Sequence, residues 1–322
     1  MKGIGLIASF IVLIMAFLAS IVYGYTDTSW QIVWQAFTQF DGSNEHIVIV
    51  ENRLPRAIIS VVVGASLAVA GMLMQTITKN GLASPSVFGI NAGAGFMIVL
   101  GLTLFGVSNP YYAFLGAAIA SAIVFGLSAF SRGGLTPVKL TLAGASMAAF
   151  FSALTQGLLV VNESVLDEVL FWLAGSIQGR ELDVVWATLP SILIGLVWAW
   201  LLSAKLNLFN LGESVAQGLG VRTTLLKVSV IVIVVLLAGS AVAIAGPIGF
   251  VGIVIPHIAR FFVGSNHYWG IAYSAVLGAL LITISDVIAR FVIMPSEVPV
   301  GVITAIIGTP FFIYIARKGA RS

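Results

Sequence analysis

An all-α, polytopic membrane protein is the fold class the sequence predicts. Three observations carry that expectation. Of 322 residues, 59% are hydrophobic and 8% charged, with a mean hydropathy of +1.10. An ordinary soluble domain carries about 25% charged residues, so a soluble chain this poor in charge could not cover its own surface. Apolar runs of bilayer-spanning length recur along the sequence, at roughly 20 residues per helical span, and the few charges sort by side once the runs are counted as ten. This composition excludes a soluble enzyme, a disordered chain and a nucleic-acid binder, and the basic pI does not argue for nucleic acid, since the net charge is only +3 and no basic run exists. The absence of cysteine removes disulfide frameworks and thiolate metal sites. The ~10-residue alternating segments of a β-barrel are missing.

The expected spans, in order, are Ile4–Tyr23, Ala57–Ile77, Val87–Phe105, Tyr111–Phe130, Leu140–Val160, Val184–Ala204, Leu225–Ala245, Phe250–Val263, Trp269–Ala289 and Val298–Ala316. The eighth is short. The first follows a single Lys2 and lacks an A-x-A cleavage site, so it reads as a retained anchor. With the N-terminus inside, Lys2, Lys79, Arg132, Lys139, Lys205, Arg222, Lys227, Arg260, Arg317, Lys318 and Arg321 fall on the cytoplasmic side, 11 of the 15 bases. Glu213 is the single acid there. The other 11 of 12 acids fall outside: Asp27, Asp41, Glu45, Glu51, Glu163, Asp167, Glu168, Glu181, Asp183, Asp286 and Glu297. The outer bases are Arg53, Arg56, Arg180 and Arg290. This Lys/Arg bias fixes the expected orientation, with both termini cytoplasmic. Dropping one span would scramble it.

Small residues mark helix contacts. Ser60, Gly64 and Ala68 recur at i, i+4, i+8 in the second span, and Gly89 and Gly93 in the third, which lets backbones approach where lipid supplies no hydrophobic drive. The segment Gly246-Pro247-Ile-Gly249-Phe-Val-Gly252, followed by Pro256, cannot form an unbroken helix. It reads either as a hinge or pathway element or as a plain turn between spans. Gly64–Gly71 resembles Gly239–Gly246 in spans of opposite direction, as an inverted repeat would. Two helices are expected outside the bilayer. Residues 164–179 carry Leu166, Val169, Leu170 and Leu173 on one face, and form either an outer docking ledge or a surface tile. Residues 206–222 carry a stripe of Leu211, Val215 and Leu219 that lipid headgroups or a partner protein must cover.

The expected chemistry is sparse. No G-x-x-x-x-G-K-[ST] and no H-E-x-x-H occurs, and His46, His257 and His267 lie far apart. No catalytic residue, metal site or permanent cofactor is expected. Asp286 is the one acid near hydrocarbon, and with Arg290 at i+4 it should form a local ion pair. Few ionisable groups remain for proton-coupled transport, which suggests a conduit energised from elsewhere.

The ordered motifs resemble the FecCD-type permeases, the membrane subunits of ABC importers for iron–siderophores, haem and vitamin B12. They include Arg53-Leu-Pro-Arg56, Gly64–Gly71, Gln75, Leu82-Ala-Ser-Pro85-Ser-Val-Phe-Gly89, Leu211-Gly-Glu213-Ser-Val-Ala216-Gln-Gly-Leu-Gly220, Gly246–Arg260, Asp286–Arg290, Glu297–Gly301 and Gly308-Thr-Pro310, so the likeness runs from about Arg53 to Ala316. Asn80-Gly81 replaces the family's usual Asn-Pro. The resemblance implies one permease domain over residues 1–322, of the type II ABC-importer kind, in a bacterial plasma (inner) membrane. It implies docking of an extracytoplasmic substrate-binding protein at Arg53, Arg56 and Arg290. It implies coupling to two cytoplasmic ATPase subunits through Leu211, Gly212, Glu213, Ala216, Leu219 and Gly220. A second permease subunit, the same or a sister chain, would complete a pathway at the dimer interface. Thr136 and Pro137 match the inner-gate region, and Gly246, Pro247, Gly249, Gly252 and Pro256 the hinge or pathway element. The implied cargo is an iron chelate, foremost a ferric siderophore. Haem or a cobalamin is the alternative, and an ATP-independent secondary carrier is the rival from another class.

Overall fold

The computed structural model describes residues 2–24, 28–107, 109–129, 136–162, 166–294 and 296–319. Arg132, Asp27, Glu163 and Arg321 lie outside the described residues, as do the side chains of Pro137, Asp167, Glu168 and Lys318. Sixteen α-helices follow one another among the described residues. They are α1 (Lys2–Val22), α2 (Trp30–Thr38), α3 (Asn44–Ile47), α4 (Leu54–Thr78), α5 (Ile90–Phe105), α6 (Pro110–Ala129), α7 (Pro137–Val161), α8 (Leu166–Leu173), α9 (Leu182–Leu201), α10 (Ser203–Asn210), α11 (Glu213–Gly218), α12 (Thr223–Val234), α13 (Ser240–Ala245), α14 (Val251–Val263), α15 (His267–Ala289) and α16 (Val300–Gly319). A π-helical turn, Val48–Arg53, leads into α4, and another, Val235–Gly239, joins α12 to α13 without ending the rod.

Among the described residues, seven helical stretches are long and apolar enough to cross a membrane. They are α1, the α3–α4 rod, α6, α7, α9, the α12–α13 rod and α15. Three shorter apolar helices, Ile90–Phe105, Val251–Val263 and Val300–Ile315, stand where the other three spans were expected. At about 1.5 Å per residue, the 13-residue α14 reaches roughly 20 Å, short of a ~30 Å hydrocarbon core. The third span also begins later than Val87. Pro85–Phe88 is a 3₁₀ turn, and Gly89 takes a left-handed φ of 69° that stops it before α5 starts. Gly89 is therefore the cap of α5, and a Cβ there would lie 3.6 Å from Ala148 N of α7.

The two most deeply buried of the seven are the α3–α4 and α12–α13 rods. These carry the two matching Gly-rich segments. Each precedes an irregular stretch and then a short helix, α5 or α14. The small residues do what membrane packing requires. A Cβ on Gly64 would strike the Gly278 backbone of α15, and one on Gly71 the Gly252 backbone of α14. Gly93 of α5 and Gly116 of α6 meet in the same way. Ser60 hydrogen-bonds Thr283 at 2.8 Å, so the α4–α15 seam is glued by hydroxyls as well as by contact.

Gly71→Val should overpack the α4–α14 crossing, where backbone rather than a flexible side chain opposes the new methyls. The expected cost is about 1–3 kcal/mol or more, read as a lower thermal midpoint of the purified protein in detergent. An unchanged midpoint would mean the helices separate freely there.

Candidate functional site

Three features converge on chemistry: an arginine cluster at one end of α4, a loop at the other end, and a broken segment between them. The cluster starts from the end of α1. The last carbonyls of a helix have no N–H partner of their own. Here the Arg53 guanidinium donates to Val22 O at 2.5 Å and Ile21 O at 3.2 Å, and to Thr28 Oγ1 at 2.6 Å. Arg290, capping α15, donates to Ser20 O at 2.6 Å and Tyr23 O at 2.9 Å. Positive charge at this C-terminal end also suits the helix dipole. Asp286 then ties the cluster together. Its Oδ2 accepts from Arg290 at 2.5 Å, the expected i,i+4 pair, and its Oδ1 from Arg56 Nε at 2.6 Å. Arg56 Nη1 reaches Glu297 at 2.5 Å.

The sequence had assigned Arg53, Arg56 and Arg290 to a partner's carboxylates. The fold instead leaves them 5%, 6% and 3% exposed, and each donates to groups of this chain, although Arg290 Nε is buried without a partner among the described residues. Asp286 is fully buried. The reason is the membrane itself: α1 needs its end carbonyls satisfied, and two guanidiniums beside one another need a shared counter-ion. Within the network Glu297 is the most accessible member, with its side chain 19% exposed.

At the far end of α4, the 206–222 loop folds as α10 and α11. Gly212 and Gly220 hold φ values of +132° and +83°, so each makes a turn that a side chain would strain. Leu211, Val215 and Leu219 are exposed by 68%, 47% and 59%, the stripe the pattern predicted. Ala216, expected on that contact surface, is fully buried against the bundle instead. Glu213 bonds Lys227 of α12 at 2.7 Å, and Gln217 bonds Thr223 at 2.9 Å. Burial pushes the Glu213 carboxyl up, but the hydrogen bond and charge of Lys227 outweigh it and hold the group below its ordinary value of 4.5. The ammonium groups of Lys79 and Lys227 lie 5.5 Å and 5.8 Å from the ring centre of buried Phe209. The loop is thus fastened to both central rods.

Between these ends, α13 stops at Gly246, whose φ is +71° and whose Cβ position is filled by Trp172 O. Gly175 faces Pro247 O, and Gly301 faces Ala174 O. Two of these backbone approaches lock the break against the end of α8, and the third holds the start of α16 on the same turn. Gly249 is exposed, and Phe250 opens α14 at a left-handed φ of +67°. α14 continues through Pro256. Proline has no N–H, so the Gly252 carbonyl loses its i+4 donor. Gln75 Nε2 replaces it at 3.1 Å and also reaches Ile253 O at 3.3 Å, while Arg260 holds the Gln75 amide oxygen. Gln75 was legible only as one residue of a motif. The carbonyl that Pro256 orphans is the signal for its role.

The remaining expectations fare unequally. Thr136 precedes α7 and makes no side-chain cap, and Pro137 is the first helical residue. Residues 164 and 165 lie outside the described residues, and the outer helix, Leu166–Leu173, ends before 179 where Gly175 turns the chain at φ +74°. It buries Val169 and Trp172, and leaves Leu170 53% exposed rather than packed. The histidines are separately engaged: His46 with Asp41, His257 with Ile253 O, and His267 with Asn207 and Thr76.

Comparison with known proteins adds to this geometry. A model described as the FecCD transport family matches residues 12–318. The probable siderophore transport system permease protein YfiZ of Bacillus subtilis is 57% identical over 324 residues, covering 99% of this chain and 97% of that one. The ferric enterobactin transport system permease protein FepD of Escherichia coli is 38% identical over 315 residues, covering 97% and 94%. A solved chain described as an inward-facing conformation of a metal-chelate type ABC transporter superposes with a TM-score of 0.85 at 30% identity, covering 99% of this chain and 100% of that one.

Asp286→Asn should leave two buried guanidiniums short of charge, at a cost of about 3–5 kcal/mol. Glu297→Gln should cost clearly less, because that carboxylate keeps access to water. Denaturation midpoints of the two variants side by side check the order. A reversed order would contradict Asp286 as the bridge.

Proposed function

We propose that this chain, which belongs to the FecCD transport family, is the membrane-spanning permease subunit of an ATP-driven importer for iron chelates, foremost ferric siderophores. One observation carries the cargo assignment: 57% identity, over 99% of the chain, with a permease named for siderophore transport. The chain contributes no catalytic residue. Its partners are a second permease subunit, two ATPase subunits and an extracytoplasmic substrate-binding protein. It sits in a bacterial plasma membrane with both termini cytoplasmic, an orientation supported by the basic residues that gather at one side of the sequence map.

The geometry supplies a mechanism for such a subunit. The exposed Leu211, Val215 and Leu219 stripe suits a groove on an ATPase. Glu213–Lys227 fastens that stripe to α12, so movement of the loop moves a central rod rather than a slack tether. ATPase closure would then rock the two halves of the bundle, which we read as inverted repeats. At the other end, a binding protein would dock over the cluster of Arg53, Arg56 and Arg290. These arginines serve docking by holding the ends of α1, α4 and α15 together. Direct acceptance of a partner's carboxylates would require them to leave Asp286, Glu297 and the α1 carbonyls.

Reconstituted in vesicles, uptake of a ferric siderophore should require the binding protein, the ATPase and ATP together. Uptake that persists without the ATPase would contradict the reading. Leu211→Asp combined with Leu219→Asp should lower ATP-driven uptake by about tenfold or more, as loss of an interface anchor does, with the permease still assembled in the membrane.

A further inference from the structure

Two irregular stretches approach the middle of the bundle and leave a cleft between them. α4 ends at Thr78, and the chain then turns back along it. Pro85 Cδ lies 3.1 Å from where a Cβ on Gly252 would stand, and the Leu67 carbonyl is equally close. Leu67 is 11 residues before Thr78, so the Pro85 turn returns roughly 16 Å along α4 at 1.5 Å per residue. The Gly246–Phe250 break arrives from the other side. Between them is a cleft of about 210 Å³, lined by Ser84, Ser86 and Asn91 together with Leu67, Gly249 and Phe250 among others.

This lining is out of place against lipid. Ser86 is exposed, Ser84 and Asn91 are half-buried, and Asn91 makes no side-chain hydrogen bond among the described residues. Irregular backbone at membrane depth is tolerated only when buried in protein or facing water, and unpaired amides are costly in hydrocarbon. Phe250, which lines the cleft, packs edge-on against Phe312 of α16 at 6.4 Å. Phe250 keeps a strained left-handed backbone there, a conformation that gathers at functional positions.

We infer that this cleft is a wetted wall of the cargo's route, and that Ser84, Ser86 and Asn91 make its polar contacts with a hydrophilic ferric chelate. The inference rests on the permease reading above. Hydroxyls and a carboxamide both donate and accept, so they suit the oxygen-rich surface of a ferric carboxylate, hydroxamate or catecholate complex. None of the cleft's lining residues is ionisable. It therefore offers weak contacts without a charge trap, as a passage needs if its cargo is to leave. Its volume fits part of a chelate's edge, which makes it a wall and not a closed pocket.

The chain has no cysteine, so single thiols can be read without background. Ser86→Cys and Asn91→Cys, in the assembled transporter in membrane vesicles, should react with a charged methanethiosulfonate. Val197→Cys, on the exposed apolar face of α9, serves as the dry control. The cleft positions should label at least about tenfold faster, because only a water-exposed thiol ionises readily. If Asn91→Cys fails to assemble, Ser86→Cys at an already exposed position reports the same property. Rates equal to the Val197→Cys control would overturn a wetted cleft. Ferric citrate, a ferric trihydroxamate and a ferric tricatecholate, supplied singly with binding protein and ATP, should include one that slows labelling. Fast labelling slowed by none of them would overturn contact with cargo. Uptake in the same vesicles without ATPase would instead remove the permease reading and leave the labelling result standing.

Discussion

In a bilayer every backbone carbonyl must find its donor inside the protein, and much of this structure answers that demand. The regular helices satisfy themselves. At the end of α1 and at the proline inside α14, a side chain from elsewhere stands in for the missing N–H. Arg53 and Arg290 serve the last carbonyls of α1. Gln75 serves the carbonyl that Pro256 leaves without a partner. The Gly246 break is closed by backbone contacts so tight that only glycine fits at three of them. Each repair joins distant parts of the chain, so the local need for a donor also fixes the tertiary arrangement.

The same repairs connect function end to end. α4 touches the arginine cluster at its start, crosses Gly252 near its middle, and ends where Lys79 lies over Phe209 beside the Glu213 loop. A displacement of the α11 loop has a rigid path along the two central rods. The breaks sit beside that path and supply irregular backbone where a cargo route can pass.

Much of the fold was legible in the sequence because membrane helices announce themselves by length and apolarity. Among the described residues, the expected runs fall on seven stretches long and apolar enough to cross a membrane and on three shorter apolar helices, and the exposed stripe at Leu211, Val215 and Leu219 follows from simple periodicity. The Asp286–Arg290 pair was readable as an i,i+4 spacing. Arg56 joining the same carboxylate was not, because 230 residues separate them and only folding brings α4 to α15. That single long-range contact pairs Arg56 and Arg290 through one buried carboxylate, a burial that spacing alone does not reveal. Ala216 misled in a related way, since a small residue in a loop motif gives no sign of which side faces the bundle. The start of α5 was misplaced because hydropathy continues through Pro85–Phe88 although the backbone does not. Trp172 escaped notice on α8 because its neighbours, Gly95 of α5 and the Gly246 break, are distant in sequence.

Side chains replace missing backbone donors in this bundle, and a double-mutant cycle at Gln75 and Pro256 reads that replacement out. Gln75→Leu alone should destabilise the purified protein by about 1–3 kcal/mol, the cost of a buried acceptor left unpaired. Pro256→Ala restores an N–H at the position that can serve the Gly252 carbonyl. In the Pro256→Ala background, Gln75→Leu should therefore cost much less, giving a clear coupling energy between the two sites. Strictly additive losses would contradict the claim, for they would mean that Gln75 and the carbonyl orphaned by Pro256 have nothing to do with one another.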